Sequence, residues 1–225
     1  MSPASTWPRL YALAPGHLAG DGLDGSLARI AGLGFDGLWL LGSGQVAPEL
    51  PRAIAAAGLA PFLELAIARL PAHAALARRA PELFQPVTPE DYAALDPRRP
   101  DTSLMRLADH ADHRALADAV LSLLRPLVEA GAAGCVVRGA ALLPPAFLAG
   151  LIGELRAIRA DLRLIADPLG ATPAAVLGLA GAGFDYRLGS VAWWDMRETW
   201  FLDQERALAP VAPSIGFPEL PGGAR

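Results

Sequence analysis

The sequence contains no lysine and no asparagine, so all nineteen of its basic residues are arginines. Without lysine, the chain cannot form a Schiff base or supply the lysine of a phosphate-binding P-loop. Without asparagine, it has no acceptor for N-linked glycosylation. A strongly biased genome is the favoured explanation of both absences. Together they exclude Schiff-base chemistry, a P-loop lysine and N-linked glycosylation.

Cysteine is nearly absent as well, with Cys135 as the single one. One cysteine cannot form an internal disulfide or a thiolate cage for a metal ion. Cys135 falls in a predicted buried strand with no histidine near it in sequence. We therefore expect an inert core thiol.

Excess positive charge and long apolar runs are also lacking. The net charge is −4 and the pI is near 5.5, which argues against a nucleic-acid-binding protein, since such a protein would show a basic face. The apolar runs are interrupted, for example by Arg138 and Pro144, before they reach the roughly 18–20 residues of a membrane span. The first eight residues do not resemble a signal peptide. We expect a cytoplasmic protein with no membrane and no nucleic-acid partner.

What the chain does have is apolar surface. Its 225 residues are 53% hydrophobic and 19% charged, with a mean hydropathy of +0.33. That share exceeds the roughly 45–50% of average soluble domains and excludes a disordered chain. The length fits one large domain or two small ones, and we expect a single domain over residues 1–225.

Short apolar runs alternate with amphipathic ones, the pattern of a parallel sheet with crossover helices. The predicted strands are Leu10–Ala14, Gly37–Leu41, Pro61–Ile67, Gly134–Val137, Leu162–Ala166, Phe184–Leu188 and Ser214–Phe217. The predicted helices are Leu23–Leu33, Pro48–Ala57, His110–Ala130, Pro145–Arg159, Pro173–Leu179 and Trp194–Leu208. Eight βα units take about 250 residues in a TIM barrel. The sequence therefore predicts an α/β fold, a TIM-type barrel shortened to about seven βα units and incomplete.

Two stretches interrupt or repeat this pattern. The proline-dense range 81–101 is too irregular for a helix and longer than an ordinary connection, so it is predicted to be a functional or structural loop. The fragment Ala31–Asp36 recurs as Ala180–Asp185, each time closing a helix and opening a strand. We interpret the recurrence as a structural echo of one βα unit and not as a site.

Six segments in order carry a resemblance over nearly the whole chain: Ala31–Leu41, Phe62–Phe84, Val128–Phe147, Leu162–Gly170, Ala180–Asp195 and Pro213–Glu219. They resemble the catalytic barrel of the α-amylase superfamily (glycoside hydrolase family 13), nearest to the branch of α-1,4-glucan:maltose-1-phosphate maltosyltransferases. The resemblance implies retaining chemistry on α-glucosyl units. Such chemistry needs two carboxyl groups about 5–5.5 Å apart, one as nucleophile and one as acid/base.

The positions that the resemblance assigns to catalysis have changed. Arg138 occupies the place of the nucleophilic aspartate and Val136 that of the arginine before it. The shorter Asp167 replaces the acid/base glutamate, Glu64 replaces the aspartate of the third strand, and the last aspartate would fall near residues 221–222. A protonated guanidinium has no free lone pair and cannot attack an anomeric carbon. We therefore predict a degenerate barrel without amylase-type catalysis, that is, a pseudoenzyme.

Glu64, Arg138 and Asp167 are predicted to meet at the carboxyl ends of neighbouring strands, where barrel enzymes keep their sites. In one interpretation they form a polar pocket that binds an α-glucan or maltose-type sugar. In the other they form a salt-bridge cluster that fills the former catalytic site. The functional hypotheses are a carbohydrate-binding or regulatory domain in α-glucan metabolism, a residual glycoside hydrolase or glycosyltransferase using Asp167 or Glu64, and a decayed fragment without selected activity.

Other candidate residues are weaker. Trp193, Trp194 and Trp200 would form either a sugar-stacking platform or, as favoured, part of the core, and Trp193 is kept as a substrate-binding candidate. His110 and His113 lie three apart at a helix start, but no third ligand follows from their spacing, so we predict no metal and no cofactor.

Three further stretches bear on partners. The Asp96–Asp101 charge cluster is interpreted as a solvated loop. The glycines at 42 and 44 are only weak evidence for phosphate binding. The two edges of a seven-stranded barrel need covering. We expect a homo-oligomer, a partner chain or an added strand from Ser2–Arg9 to cover them.

Overall fold

The computed structural model describes residues 9–19, 22–42, 46–88 and 104–216. Its strands are Leu10–Leu13 (β1), Gly37–Leu40 (β2), Ala60–Ala66 (β3), Arg69–Pro71 (β4), Phe84–Pro86 (β5), Leu104–Leu107 (β6), Gly134–Arg138 (β7), Arg163–Asp167 (β8), Tyr186–Leu188 (β9) and Ser214–Ile215 (β10). Its α-helices are Leu23–Gly32 (α1), Glu49–Ala56 (α2), Ala75–Arg79 (α3), His113–Glu129 (α4), Pro145–Ile158 (α5), Pro173–Leu177 (α6) and Trp200–Leu208 (α7). Short 3₁₀ turns cover Pro15–Ala19, Pro81–Leu83, Ala140–Leu142 and Val191–Trp193.

Seven of the strands form one parallel sheet, in the order β1-β2-β3-β7-β8-β9-β10. That order is the order of the chain, with helices between successive strands, which is the topology of a TIM-type barrel. The predicted shortened, incomplete barrel of about seven βα units is confirmed. Within the described residues, β1 and β10 lie at the two edges of the sheet and do not pair with each other.

The sheet separates two apolar layers, because successive side chains of a strand point to opposite faces. The inner layer contains Trp39, Phe62, Val136, Ile165, Tyr186 and Leu188. The outer layer packs Leu38, Leu63, Cys135, Val137 and Leu164 against the helices. A Cβ on Gly134 would lie within 2.6 Å of the Phe62 ring, so only glycine lets that ring fill the interior.

Helix α4 shows how the sequence fixes these elements. Asp112 caps its first turn, accepting hydrogen bonds from the backbone N–H groups of Arg114 and Ala115 at 2.7 and 3.3 Å. Its buried side chains recur at helical spacing and include Leu116, Val120, Leu124 and Leu127, as the sequence predicts. Leu123, placed on the same face by the sequence, is only half-buried.

The connection between β3 and α4 differs from the predicted irregular loop. It folds into a second, antiparallel sheet in the order β4-β6-β5, within which Phe84 lies opposite Leu107 and Arg69 opposite Arg106. The prediction for 81–101 is therefore wrong over Phe84–Pro86, which is a strand. Pairing between segments so far apart in sequence leaves no local pattern from which to predict it. The Asp96–Asp101 cluster lies outside the described residues.

Other predicted bounds also shift. The last helix begins at Trp200 and not at Trp194, because a turn precedes it: the Asp195 carboxylate accepts from the N–H groups of Arg197 and Glu198, and Met196 has a φ of 60°. The last strand is described only as Ser214–Ile215, since residues 217–225 lie outside the described part. Ser2–Pro8 and the glycine at 44 also lie outside it.

The repeated fragment has one structural role at both of its positions. The Asp36 carboxylate accepts from the backbone N–H and the guanidinium of Arg9, at 2.8–3.0 Å. The Asp185 carboxylate accepts from the N–H of Leu164 at 2.7 Å and from Arg156 at 2.9 Å. Each aspartate thus fastens the start of its own strand to the start of the strand before it in the sheet.

Candidate functional site

Three charged side chains lie at or near the carboxyl ends of neighbouring strands. Glu64, Arg138 and Asp167 each follow by two residues a side chain of the inner layer, namely Phe62, Val136 and Ile165. Because strand side chains alternate, the three face the interior of the barrel. The register places Ala66 opposite Arg138 and Arg138 opposite Asp167. The structure thus brings together the three residues that the sequence singles out.

Arg138 contacts both carboxylates at once. Its Nη1 lies 3.7 Å from Glu64 Oε2, and its Nε lies 3.5 Å from Asp167 Oδ2. The carboxylate side chains are 8% and 9% exposed, whereas the Arg138 side chain is 54% exposed. The guanidinium therefore covers two buried carboxylates and presents its other side to solvent.

Burial dominates the electrostatics of both acids. It raises the pKa of Glu64 above its usual value, while Arg138 and the backbone N–H of Gly42 act in the opposite direction. Burial also raises the pKa of Asp167. The N–H of Leu169, which donates to Oδ1 at 3.2 Å, and the charge of Arg138 act in the opposite direction. The proximity of Asp167 adds to the upward shift of the Glu64 pKa. Two buried acids thus share one half-exposed cation.

The three side chains line a cavity of about 690 Å³. Among the residues described, Glu64 and Asp167 supply the carboxylates of its lining, and Arg69, Arg138 and His73 supply its basic groups. The remaining side chains come largely from the antiparallel sheet, α3 and α4, and are mostly aliphatic. This volume is typical of a small-molecule site.

The tryptophans divide between the cavity and the surface. Trp193 lines the cavity and is 52% exposed. Trp194 stacks on Phe201 at 4.8 Å and donates from Nε1 to the carbonyl of Glu198 at 2.7 Å, while Trp200 meets the edge of Phe201 at 5.9 Å. The favoured prediction of core packing is wrong for Trp193 and Trp200, because both indoles are exposed.

The remaining candidates take structural positions. The His113 ring lies 5.3 Å from the Phe147 ring, and Asp109 pairs with Arg106 at 2.7 Å. In the described part of the chain, no group of three or more His, Cys, Asp or Glu residues could hold a metal ion. Burial raises the pKa of the Cys135 thiol to about 12. None of the helices described is long and apolar enough to cross a membrane.

Sequence reasoning did not find the residues that the antiparallel sheet brings to the cavity. Arg69 and His73 follow β3 closely in the chain, but their position depends on the pairing of β4 with β6. Gly42 donates to Glu64 through its backbone N–H, but in the sequence it belongs only to a weak glycine signal. Because buried polar groups are hydrogen-bonded, a buried carboxylate near the end of a strand indicates that a donor such as a backbone N–H lies beside it.

Comparison with known proteins shows what this chain resembles in sequence and in fold. No family model matches the chain. An α-1,4-glucan:maltose-1-phosphate maltosyltransferase from Burkholderia pseudomallei is 37% identical over 143 residues, which cover 62% of this chain and 13% of that protein. The chain therefore spans only a small part of the length of this relative.

Solved structures agree on the fold. An α-amylase from Lactobacillus plantarum superposes with a TM-score of 0.61 at 17% identity, over 93% of this chain and 61% of that one. A maltogenic α-amylase from Thermotoga neapolitana gives 0.59 at 15% identity, over 86% and 52%. An α-amylase from Geobacillus thermoleovorans, complexed with acarbose, gives 0.54 at 12% identity, over 80% and 49%.

The fold is thus that of an α-amylase-type barrel. The resemblance of the chain to the maltosyltransferase-like branch of the α-amylase superfamily is confirmed in sequence by the Burkholderia relative, and its α-amylase-type fold by the solved structures.

Proposed function

We propose that this barrel binds an α-glucan or maltose-type sugar without cleaving it, and so acts as a carbohydrate-binding or regulatory domain in α-glucan metabolism. The observation that carries the proposal is the position of Arg138, whose guanidinium contacts the carboxylates of both Glu64 and Asp167 in the lining of the cavity. By the resemblance, Arg138 stands where related enzymes hold the attacking carboxylate.

Hydrolysis with retention is disfavoured by this arrangement. The reaction needs one carboxyl group to attack and a second to donate a proton. Here both carboxylates face the same cation, which cannot act as a nucleophile and which repels the positive charge that develops on the sugar in the transition state.

Sugar binding needs less of the site than catalysis does. Glu64 and Asp167 offer acceptors, the half-exposed Arg138 offers donors, and the Trp193 indole offers a flat apolar face at the same cavity. Hydroxyl groups pair with both donors and acceptors, and sugar rings pack on aromatic faces. A related α-amylase has been solved with acarbose, which supports a saccharide ligand for this fold.

A residual glycoside hydrolase or glycosyltransferase is the second candidate. The observation in its favour is that burial raises the pKa of both Asp167 and Glu64, as it does in carboxyl groups that serve as general acids. In this alternative, Asp167 or Glu64 acts alone as acid or base on an α-glucan or sugar phosphate.

Calorimetric titration with maltose and with maltose 1-phosphate, beside a hydrolysis and transfer assay, separates these functions. We expect binding without turnover, and binding about tenfold weaker in Arg138→Ala. Arg52→Ala is the matched control, since Arg52 lies on the surface in a 3.8 Å pair with Glu49. Turnover that Asp167→Asn abolishes would support the enzyme, and neither binding nor turnover would support a decayed fragment without selected activity.

Some expectations about the whole chain stay predictions. They are a single domain over residues 1–225, a cytoplasmic location, and a second copy or a partner chain that covers the edge of the sheet. The position of β1 and β10 at the two edges of the sheet supports the last of these for the described part of the chain.

A further inference from the structure

The segment that leads into α7 concentrates exposed apolar surface. Among the described residues, seven large apolar side chains are exposed, and four of them fall within residues 193–202: Trp193, Met196, Trp200 and Leu202. Single exposed apolar side chains are ordinary on a protein surface, whereas several together indicate a binding surface. We call residues 193–202 the tryptophan turn.

The tryptophan turn is held together by contacts of its own side chains. The Trp194 indole stacks on the Phe201 ring at 4.8 Å and donates from Nε1 to the carbonyl of Glu198 at 2.7 Å. The Phe201 ring also contacts the Trp200 indole, at 5.9 Å and with the ring planes 85° apart. These contacts tie the start of the turn to the first residues of α7. A ligand that binds an ordered aromatic surface loses less free energy to ordering than one that binds a mobile surface.

The tryptophan turn begins at the cavity. Trp193 is part of the cavity lining together with Arg138 and Asp167, and it is the only residue of the turn in that lining. Its neighbour in the chain, Trp194, starts the series of ring contacts that runs through Phe201 to Trp200. The row of aromatic side chains therefore starts in the lining of the cavity and ends outside it.

The polar residues of the turn indicate what kind of ligand covers it. Asp195, Arg197 and Glu198 are exposed and stand between the apolar residues, so charges of both signs lie within the surface. The centres of protein–protein interfaces are depleted of charged residues. Hydroxyl groups can donate to carboxylates and accept from a guanidinium, while the C–H faces of a sugar ring pack on an indole. A saccharide matches this mixture better than the apolar face of a protein does.

From these observations, we infer that the tryptophan turn is a second saccharide-binding surface, on which an α-glucan chain held at the cavity continues from Trp193 to Trp200. The inference rests on the proposed sugar binding at the cavity, and it names the ligand as a chain longer than a disaccharide. A sugar ring that covers roughly 50 Å² of apolar surface on an indole raises the affinity about eightfold.

Calorimetric titration with maltose, maltotriose, maltopentaose and maltoheptaose tests the inference. We expect the affinity to rise along the series in the unaltered protein. Trp200→Ala should weaken the binding of maltoheptaose about eightfold and leave that of maltose within about twofold, because only the longer chain reaches Trp200. Trp200→Phe keeps an aromatic ring and should recover a large part of the loss. Leu33→Ala is the control, since Leu33 is an exposed apolar residue outside both the cavity and the turn.

Nuclear magnetic resonance of the indole N–H groups gives a second readout that needs no destabilising variant. The chain has five tryptophans, so five signals are expected, and Trp193→Phe and Trp200→Phe assign two of them. Saturating maltose should shift the Trp193 signal alone, and saturating maltoheptaose should shift the signals of both Trp193 and Trp200.

The outcomes separate the two proposals. If maltose binds but the affinity of maltoheptaose is the same in Trp200→Ala, or its addition leaves the Trp200 signal in place, the second surface is excluded and sugar binding at the cavity stands. If Trp200→Ala instead lowers the mass measured by light scattering, the turn is a protein interface and the inference is wrong. If neither maltose nor any longer chain binds, the proposed function fails, and the second surface fails with it.

Discussion

Glu64 is a carboxyl group that the fold places in a setting where ionisation is unfavourable. Burial raises its pKa, and the nearby Asp167 adds to that shift. Arg138 compensates in part, but its contact at 3.7 Å is looser than a hydrogen bond and is partly screened by water. At neutral pH the folded protein therefore holds two carboxyl groups that would ionise more easily in the unfolded chain.

The difference between the carboxyl pKa values of the folded and the unfolded chain predicts how the free energy of unfolding changes with pH. A carboxyl group whose folded pKa is raised above 4.5 binds protons more tightly when folded, so its contribution to stability falls as pH rises through the raised pKa. The Glu64→Gln substitution removes this titrating carboxyl group, because an amide does not bind a proton in this pH range. We expect its free energy of unfolding to fall less between pH 4 and pH 7 than that of the unaltered protein, as measured by urea denaturation.

Glu82→Gln serves as the control for that experiment, because Glu82 is exposed and lies outside the cavity. It should follow the pH dependence of the unaltered protein. If Glu64→Gln also follows it, burial does not raise the pKa of Glu64 in the folded protein.

At the scale of elements, ion pairs fasten strands and helices together. Asp36 links β2 to the start of β1 through Arg9, whose hydrogen bonds lower the pKa of Asp36 to about 2. A lowered pKa stabilises the fold above the unfolded value of 3.8 and loses that effect as pH falls toward 2. Asp36→Asn should therefore reduce the loss of stability between pH 4 and pH 2.

The fraction folded at fixed urea, followed by circular dichroism across that pH range, measures the effect. Asp24→Asn is the control, since Asp24 is an exposed aspartate in the first turn of α1. Equal acid sensitivity of Asp36→Asn and the unaltered protein would show that the Arg9 contact does not stabilise the start of the sheet.

A second pair joins β9 to α7. The Arg187 side chain is 2% exposed, and its Nη1 and Nη2 donate to the two carboxylate oxygens of Glu205 at 3.0 and 2.7 Å. Removing one partner of such a pair leaves a buried charge without compensation, at a cost of about 3–5 kcal/mol. Glu205→Ala should lose this much stability, and Arg187→Met with Glu205→Met should recover a large part of it.

Urea denaturation of the single and double variants measures the coupling between the two residues. The exposed pair of Arg206 and Asp203, at 3.0 Å, is the matched control on the same helix. Its removal should cost no more than about 1 kcal/mol. Equal losses at the two pairs would contradict a specific role for the buried one.

The elements differ in how far the sequence predicts them. Strands such as β2 and β8 are apolar on both faces, so a short run marks them directly. The carboxyl ends of parallel strands share one edge, so the meeting of Glu64, Arg138 and Asp167 follows from the strand assignment. The aliphatic cavity does not follow, because Leu76 and Leu123 share it only after the antiparallel sheet and α4 have packed.

At the scale of the whole molecule, the described sheet has two edges. β1 and β10 each pair on one side only, and Ile215 on β10 is half-buried and packs against the inner apolar layer. Unpaired backbone groups beside apolar side chains favour association with another strand. The predicted second copy or partner would satisfy them, and the high apolar content agrees with extra burial of this kind.

Light scattering coupled to size-exclusion chromatography tests whether copies of the chain cover these edges. We expect a mass above that of the 23.4 kDa monomer, and a decrease on dilution. Ile215→Lys places a charge on the edge strand and should shift the distribution toward the monomer, whereas Leu33→Lys, at an exposed leucine, should not. A constant monomer at all concentrations would exclude self-association, and edge coverage would then have to come from a different chain or from residues outside the described part.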